Sequence, residues 1–377
     1  MKFKYVYILL LLIILNCAMN EFVMAQYAQS KINMIEDDIE ILEAVLDRMF
    51  FRNNTKLAFY RDRTSGYYLD EYGFLFKIPY SMNYSYFNNE NFRNLIKAYS
   101  DPDKMLEAIN TLPETDAMPD MKLIQDKEIA TIRRTIDKFM SDYIATMSYA
   151  SPAFWINVVV DLKQESWLMN LGDEDLTHQI IARVQIKNIN DFRAGKLDRD
   201  EFIRKIKYDY KKNGQDNERE EIEIFTEIVE SSLIKKSDDS FRLTNRINGF
   251  HIDDYGLIFM ADVDMIPNFI NIITKSQGNQ TVSISQFTTS SDSVFDLNEK
   301  LDLLEEKIVS IISRYGHTVN SLKENESIEF AFNLNTPSIS ESASKVVYKV
   351  KKSDIDKYNH KNIDYNEFKE RFEINRY

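Results

Sequence analysis

The sequence predicts an α+β protein made of two tandem, diverged copies of one domain, each ordered helix, two strands, helix, two strands, short helix. Three observations carry that prediction. Residues 66–76 read GYYLDEYGFLF and residues 249–259 read GFHIDDYGLIF, one phrase written twice at an offset of 183. Residues 39–50 and 222–233 repeat an apolar pattern at that same offset, so the two copies align from this pattern through the phrase without a gap. Later blocks match at offsets of 172 and then 166, as expected when loops shorten while elements persist.

Each copy opens with an amphipathic helix. Ile39, Leu42, Val45, Leu46 and Phe50 recur as Ile222, Phe225, Ile228, Val229 and Leu233, at helical spacing. The phrase that follows reads strand, turn, strand. Asp70 and Gly73, or Asp253 and Gly256, are placed at the first and fourth positions of a turn, where Asp bonds the backbone and Gly takes a positive φ. Phe74, Leu75, Phe76 and Ile78, like Leu257, Ile258 and Phe259, then suit a buried strand. A second helix covers 132–143 and 304–315, ending at Tyr143 or Tyr315. WINVVVDL (155–162) and SIEFAFNL (327–334) alternate as strands. The last block sets Phe192, Leu197, Asp198, Glu201 and Phe202 against Tyr358, Ile363, Asp364, Glu367 and Phe368. There Asp198 and Asp364 read as N-caps of a short helix, with Glu201 and Glu367 completing capping boxes.

These matches place a first repeat domain at 34–210, a polar linker at 211–221 and a second repeat domain at 222–377. A copy of about 165–175 residues is an ordinary domain size. The stretch 80–125, with Pro102, Pro113 and Pro119, has only a partial counterpart and reads as a loop-rich excursion. Its Tyr80, Tyr84, Tyr86 and Phe87, mixed with Asn and Ser, form the candidate binding surface.

Residues 1–25 read as an export signal. Lys2 and Lys4 precede an apolar run from Val6 to Leu15, too short to span a bilayer and suited to a signal-peptide core. Val23 and Ala25 offer small residues for cleavage before Gln26; alternatively ILNC resembles a lipobox, with Cys17 as the lipidated residue. An uncleaved anchor is the third outcome. Either cut sends the chain out of the cytoplasm, to a periplasmic, secreted or outer-surface destination. Cys17 is the single cysteine, so no intramolecular disulfide forms and stability rests on packing.

Composition narrows function by exclusion. A formal charge of −13 disfavours a nucleic-acid or anionic-lipid partner, leaving membrane attachment to a lipidated N-terminus. Nine glycines include no P-loop, GxGxxG or GxSxG, and no cofactor is expected. GKLDRDEF copies half of a calcium loop, but Phe192 and Ala194 would stand at ligand positions that demand oxygen, so no metal is expected there. His178, His251, His317 and His360 lack zinc spacing and read as incidental surface residues. The repeat signature is Gly66, Asp70, Tyr72, Gly73 and Phe76, answered by Gly249, Asp253, Tyr255, Gly256 and Phe259. Its tyrosines, with Tyr143 and Tyr315, read as filling the core rim with their hydroxyls bonded.

The phrase GxxxDxYGxxF, followed by GKLDxxEF, resembles uncharacterised exported bacterial proteins that carry a GxYLPGYGxxF-like phrase and a closing DLxxYRxGKIxxEEF-like segment. Asp70–Glu71 and Asp253–Asp254 stand where that phrase has Pro-Gly. The resemblance implies an envelope protein and no particular activity. Three readings follow. The leading one is a non-catalytic envelope protein that binds or scaffolds an unidentified protein or small ligand. The second is a secreted hydrolase using paired carboxylates among Asp70, Asp253, Glu201 and Glu367. The third is a surface lipoprotein that binds host or neighbouring-cell molecules.

Overall fold

In the computed structural model the described residues are 34–51, 63–81, 121–144, 150–163, 176–212, 217–235, 241–265, 272–277, 280–285, 297–335 and 344–376. The export segment with Cys17, and the candidate surface residues Tyr84, Tyr86 and Phe87, lie outside them. The chain divides into two compact units, Met1–Asp216 and Asn217–Tyr377, each mixed α+β around its own large sheet.

The first unit runs α1 (34–51), β1 (Ser65–Leu69), β2 (Gly73–Ser81), α2 (Met121–Asp142), β3 (Trp155–Lys163), β4 (Thr177–Gln185), α3 (Ile186–Arg193), α4 (Arg199–Ile203) and β5 (Lys207–Lys212). Its sheet order is β1-β2-β3-β4-β5. Only the β2–β3 pair is parallel, because α2 lies in the connection between them and returns the chain to the same end. Gly66 pairs with Phe76 across the hairpin, and an added Cβ on Gly66 would lie 2.6 Å from Ile39 Cγ2 of α1 and 2.9 Å from the Phe76 ring. Phe76 also meets Phe139 of α2 edge-on at 5.8 Å. Both helices therefore cover one sheet face, and Gly66 is what lets α1 approach it.

The second unit runs α5 (Asn217–Lys235), β6 (Arg242–Leu243), β7 (Asn248–Ile252), β8 (Gly256–Asp264), a separate hairpin β9–β10 (Ile272–Gln277, Gln280–Ser285), α6 (Leu297–Tyr315), a 3-10 turn (Gly316–Thr318), β11 (Ser327–Asn335), β12 (Lys345–Lys351), α7 (Lys352–Asn359), α8 (Tyr365–Lys369) and β13 (Glu373–Arg376). Its sheet runs β13-β12-β11-β8-β6, with β7 also on β8, and only β8–β11 is parallel. The core joins Phe225 of α5 and Ile308 of α6 to Phe259, Phe330 and Tyr348. Phe259 stacks on Phe330 at 5.0 Å and meets Phe225 at 5.3 Å. Burying each such ring stabilises the fold by about 1.5–3 kcal/mol.

The closing segment differs from its expected single short helix. Two short helices precede a closing strand in each unit, β5 in the first and β13 in the second. The first of them, α3 or α7, starts directly after a strand with no side-chain cap, so the usual start signal is missing. The strands β5 (KYDYKK) and β13 (EINR) carry no apolar run and hide their β character. The linker expected at 211–221 is also narrower, since β5 extends to Lys212 and α5 begins at Asn217. Likewise α2 starts at Met121, inside the stretch read as loop.

Candidate functional site

The repeated phrase resolves into a hairpin whose glycines have two different duties. The turn is one residue earlier than its sequence predicts: Tyr72 N–H donates to Leu69 O at 3.1 Å, and Tyr255 N–H to Ile252 O at 3.0 Å. Left-handed backbone falls on Glu71 (φ 59) and Asp254 (φ 65), and again on Gly73 (φ 136) and Gly256 (φ 132). Acidic residues fill a left-handed position at modest cost, whereas the second position requires Gly. A Cβ on Gly73 would sit 2.0 Å from Trp155 O, and one on Gly256 the same 2.0 Å from Ser327 O. Trp155 N–H donates to Tyr72 O at 2.8 Å, and Ser327 N–H to Tyr255 O at 3.0 Å, so each turn is bolted to the first residue of the parallel neighbour strand.

Three of the four acids proposed for catalysis, Asp70, Glu201 and Glu367, hold backbone N–H groups. Asp70 accepts from the Glu71 N–H at 3.0 Å and from the Tyr68 hydroxyl at 3.4 Å. Burial, with Asp70 beside it, pushes the Tyr68 phenol up to about 12. Asp253 is an exposed turn residue. Glu201 and Glu367 each complete a capping box with Asp198 and Asp364. The helix each box starts is held by a stacked ring pair, Phe192–Phe202 or Tyr358–Phe368, both at 4.7 Å. No hydrogen bond joins a turn acid to a capping acid among the described residues.

A further shared acid escapes sequence reading. Asp47 of α1 accepts from the Thr64 N–H at 2.9 Å, and Glu230 of α5 from the Ile247 N–H at 2.6 Å. The two stand at the same offset of 183, a signal that was present but blurred by the change of residue type.

Where the units differ, the differences are coupled. Tyr68 meets Phe154 at 6.2 Å in the first unit. The matching positions in the second hold His251 and Glu326, with Nε2 and Oε2 at 3.3 Å. His251 is buried, not the surface histidine its sequence context predicts, because it replaces an aromatic on an inward strand position. Glu326 is fully buried and accepts from the Asp254 N–H at 3.1 Å and the Lys323 N–H at 2.9 Å. Burial pushes its carboxyl up, but those donors, His251 and the Lys323 ammonium outweigh it and hold the carboxyl below its ordinary range. A second polar set crosses the sheet's other face. The Tyr255 hydroxyl donates to the fully buried Glu329, and Lys349, directly across from Glu329, lies 3.3 Å from Glu373. The corresponding cross-strand pair in the first unit is Asn157 and Arg183.

Tyr80 is not an exposed contact residue: it is buried on β2, its hydroxyl donating to Glu128 at 2.7 Å. Tyr80 shares the face of β2 that carries Phe76 and Ile78, and α2 covers that face. Conversely, Tyr143 and Tyr315, expected at the core rim, are 37% and 38% exposed. Ile41 and Ile224, equivalent at the offset of 183, are 56% and 52% exposed. In the second unit this outer helix face forms an apolar groove of about 630 Å³ between α5 and α6. Ile224, Ile228, Leu303, Ile311 and Tyr315 line it, and Ser231, Ser232 and Ser310 keep it open. Such a concavity fits a packed apolar partner and carries no nucleophile–base pair.

Among the described residues no group of His, Cys, Asp or Glu could hold a metal ion, and no helix is long and apolar enough to cross a membrane. Comparison with family models, with curated proteins and with solved structures finds no match.

Proposed function

We propose that this chain is an exported bacterial envelope protein built from two diverged copies of one domain, and that it binds or scaffolds rather than catalyses. The observation that carries the reading is that three pairs of acids recurring in both units hold backbone. Asp198 with Glu201, Asp364 with Glu367, and Asp47 with Glu230 each satisfy main-chain N–H groups at equivalent places. A hydrolase would need two acids free to face a substrate in one concavity.

Duplication is supported by the common strand order, the single parallel pair in each large sheet and the identical role of Gly73 and Gly256. Export is supported by Lys2, Lys4 and the apolar run to Leu15. Mass spectrometry of the mature N-terminus from a bacterial host tests the export reading. A chain starting at Gln26 supports a soluble exported protein, and a lipid-modified Cys17 directs it to a membrane surface. An uncut chain retained in the cytoplasm overturns export.

A further inference from the structure

The outer face of the second unit's helix pair carries its own electrostatic complement. The Glu221 carboxylate of α5 accepts from the Asn320 and Ser321 N–H groups at 3.0 and 2.9 Å. The start of α5 therefore lies beside the end of α6, and the two helices run antiparallel. Ile224 and Tyr315 share one end of the groove, with Leu303 toward the other. Two charged side chains in its walls have no ion-pair partner among the described residues: Glu227 on α5 and Arg314 in the last turn of α6. Their neighbours are occupied, Glu306 by Lys369 and Lys307 over the Phe241 ring at 4.6 Å.

A two-fold contact requires a patch that complements itself, residue i meeting j and j meeting i. This face meets that condition, with one unpaired acid, one unpaired base and exposed Ile224 (52%), Leu303 (39%) and Tyr315 (38%) around them. We propose that the α5/α6 groove docks on the same face of a second copy of this chain, Glu227 of each copy meeting Arg314 of the other. The copies' repulsion at −13 each is screened beyond roughly 8 Å at physiological salt, whereas contacting pairs are not. The contact belongs to the second unit alone. In the first, Ala44 and Asp142 stand at the positions of Glu227 and Arg314, and Asp142 lies 3.8 Å from Arg199. Arg48, Met49 and Lys138 there replace Ser231, Ser232 and Ser310, the serines that open the groove.

Sedimentation velocity on the full chain tests it, with Ile224→Asp, Glu227→Arg, Arg314→Glu and the double charge swap. All three positions are exposed, and unchanged circular dichroism controls for folding. The expected result is a dimer weakened at least about 100-fold by Ile224→Asp, which would bury a carboxylate against the apolar face of the partner copy. Each single reversal should weaken it about 10-fold, and the double swap should return to within about 3-fold of the parent. A monomer up to about 100 μM, a dimer indifferent to Ile224→Asp, or a double swap no better than the single reversals overturns the proposal.

Discussion

Replacing Gly73 with alanine tests the central claim about the repeated phrase, that Gly is there for close approach to the next strand. The new Cβ would meet Trp155 O at 2.0 Å, N at 2.7 Å and C at 2.9 Å, all backbone and none able to rotate away. Reaching ordinary contact at 3.4 Å needs a shift of about 1.4 Å between β2 and β3, which the packed sheet resists. Local fraying is the cheaper response. It gives up the Trp155 N–H to Tyr72 O bond and the rung beside it, at roughly 1 kcal/mol each. Alanine at φ 136 adds about 1–3 kcal/mol of strain, for a total of about 3–5 kcal/mol. Gly195→Ala is the matched control, because Gly195 has φ 70 but nothing within 4 Å of its added Cβ, and should cost about 1 kcal/mol. Both sites lie in the first unit, which also holds both tryptophans, so urea unfolding followed by tryptophan fluorescence reads them with one probe. Equal losses at the two glycines would refute the close-approach argument and leave only backbone φ.

Two other predictions follow from the buried polar groups and the caps. Asp198→Ala and Asp364→Ala should each cost about 1 kcal/mol in denaturant unfolding, the usual worth of an N-cap, and a loss below about 0.3 kcal/mol would contradict the capping role. Glu326 has its pKa depressed in the folded chain, so its contribution is whole above the ordinary carboxyl value of 4.5 and is lost as pH falls through the depressed one. Glu326→Gln should therefore flatten the pH dependence of amide-exchange protection in β8 and β11 below about pH 4.5. Unchanged slopes would show that the carboxylate is not what holds that turn.

The elements with strong periodic patterns were legible, and the reasons are visible residue by residue. Ile39, Leu42 and Leu46 are buried on α1, as their spacing predicts. Gly66, Gly73, Gly249 and Gly256 stood out because glycine is scarce here and each sits where a side chain would collide. The polar strands β5 and β13 were illegible because edge strands need no apolar face. Turn register slipped by one residue because Asp and Glu tolerate the left-handed conformation that the reading reserved for Gly. The candidate surface was misplaced for a related reason. An aromatic on a strand, such as Tyr80, and one ending a helix, such as Tyr315, look alike in sequence, and only the covering helix decides which is exposed. His251 and Glu326 lie 75 positions apart, and neither announces the other.

The strand β5 has β4 as its one sheet partner among the described residues and so closes its side of the sheet. Its six residues include Lys207, Lys211 and Lys212. Aligning a second such strand beside it would bring like ammonium groups together and strip their water, which is how natural sheets discourage runaway stacking. For a chain that forms no intramolecular disulfide, this guards against fibrous assembly through chemistry rather than covalent bracing. A strand so charged is repellent to its own kind.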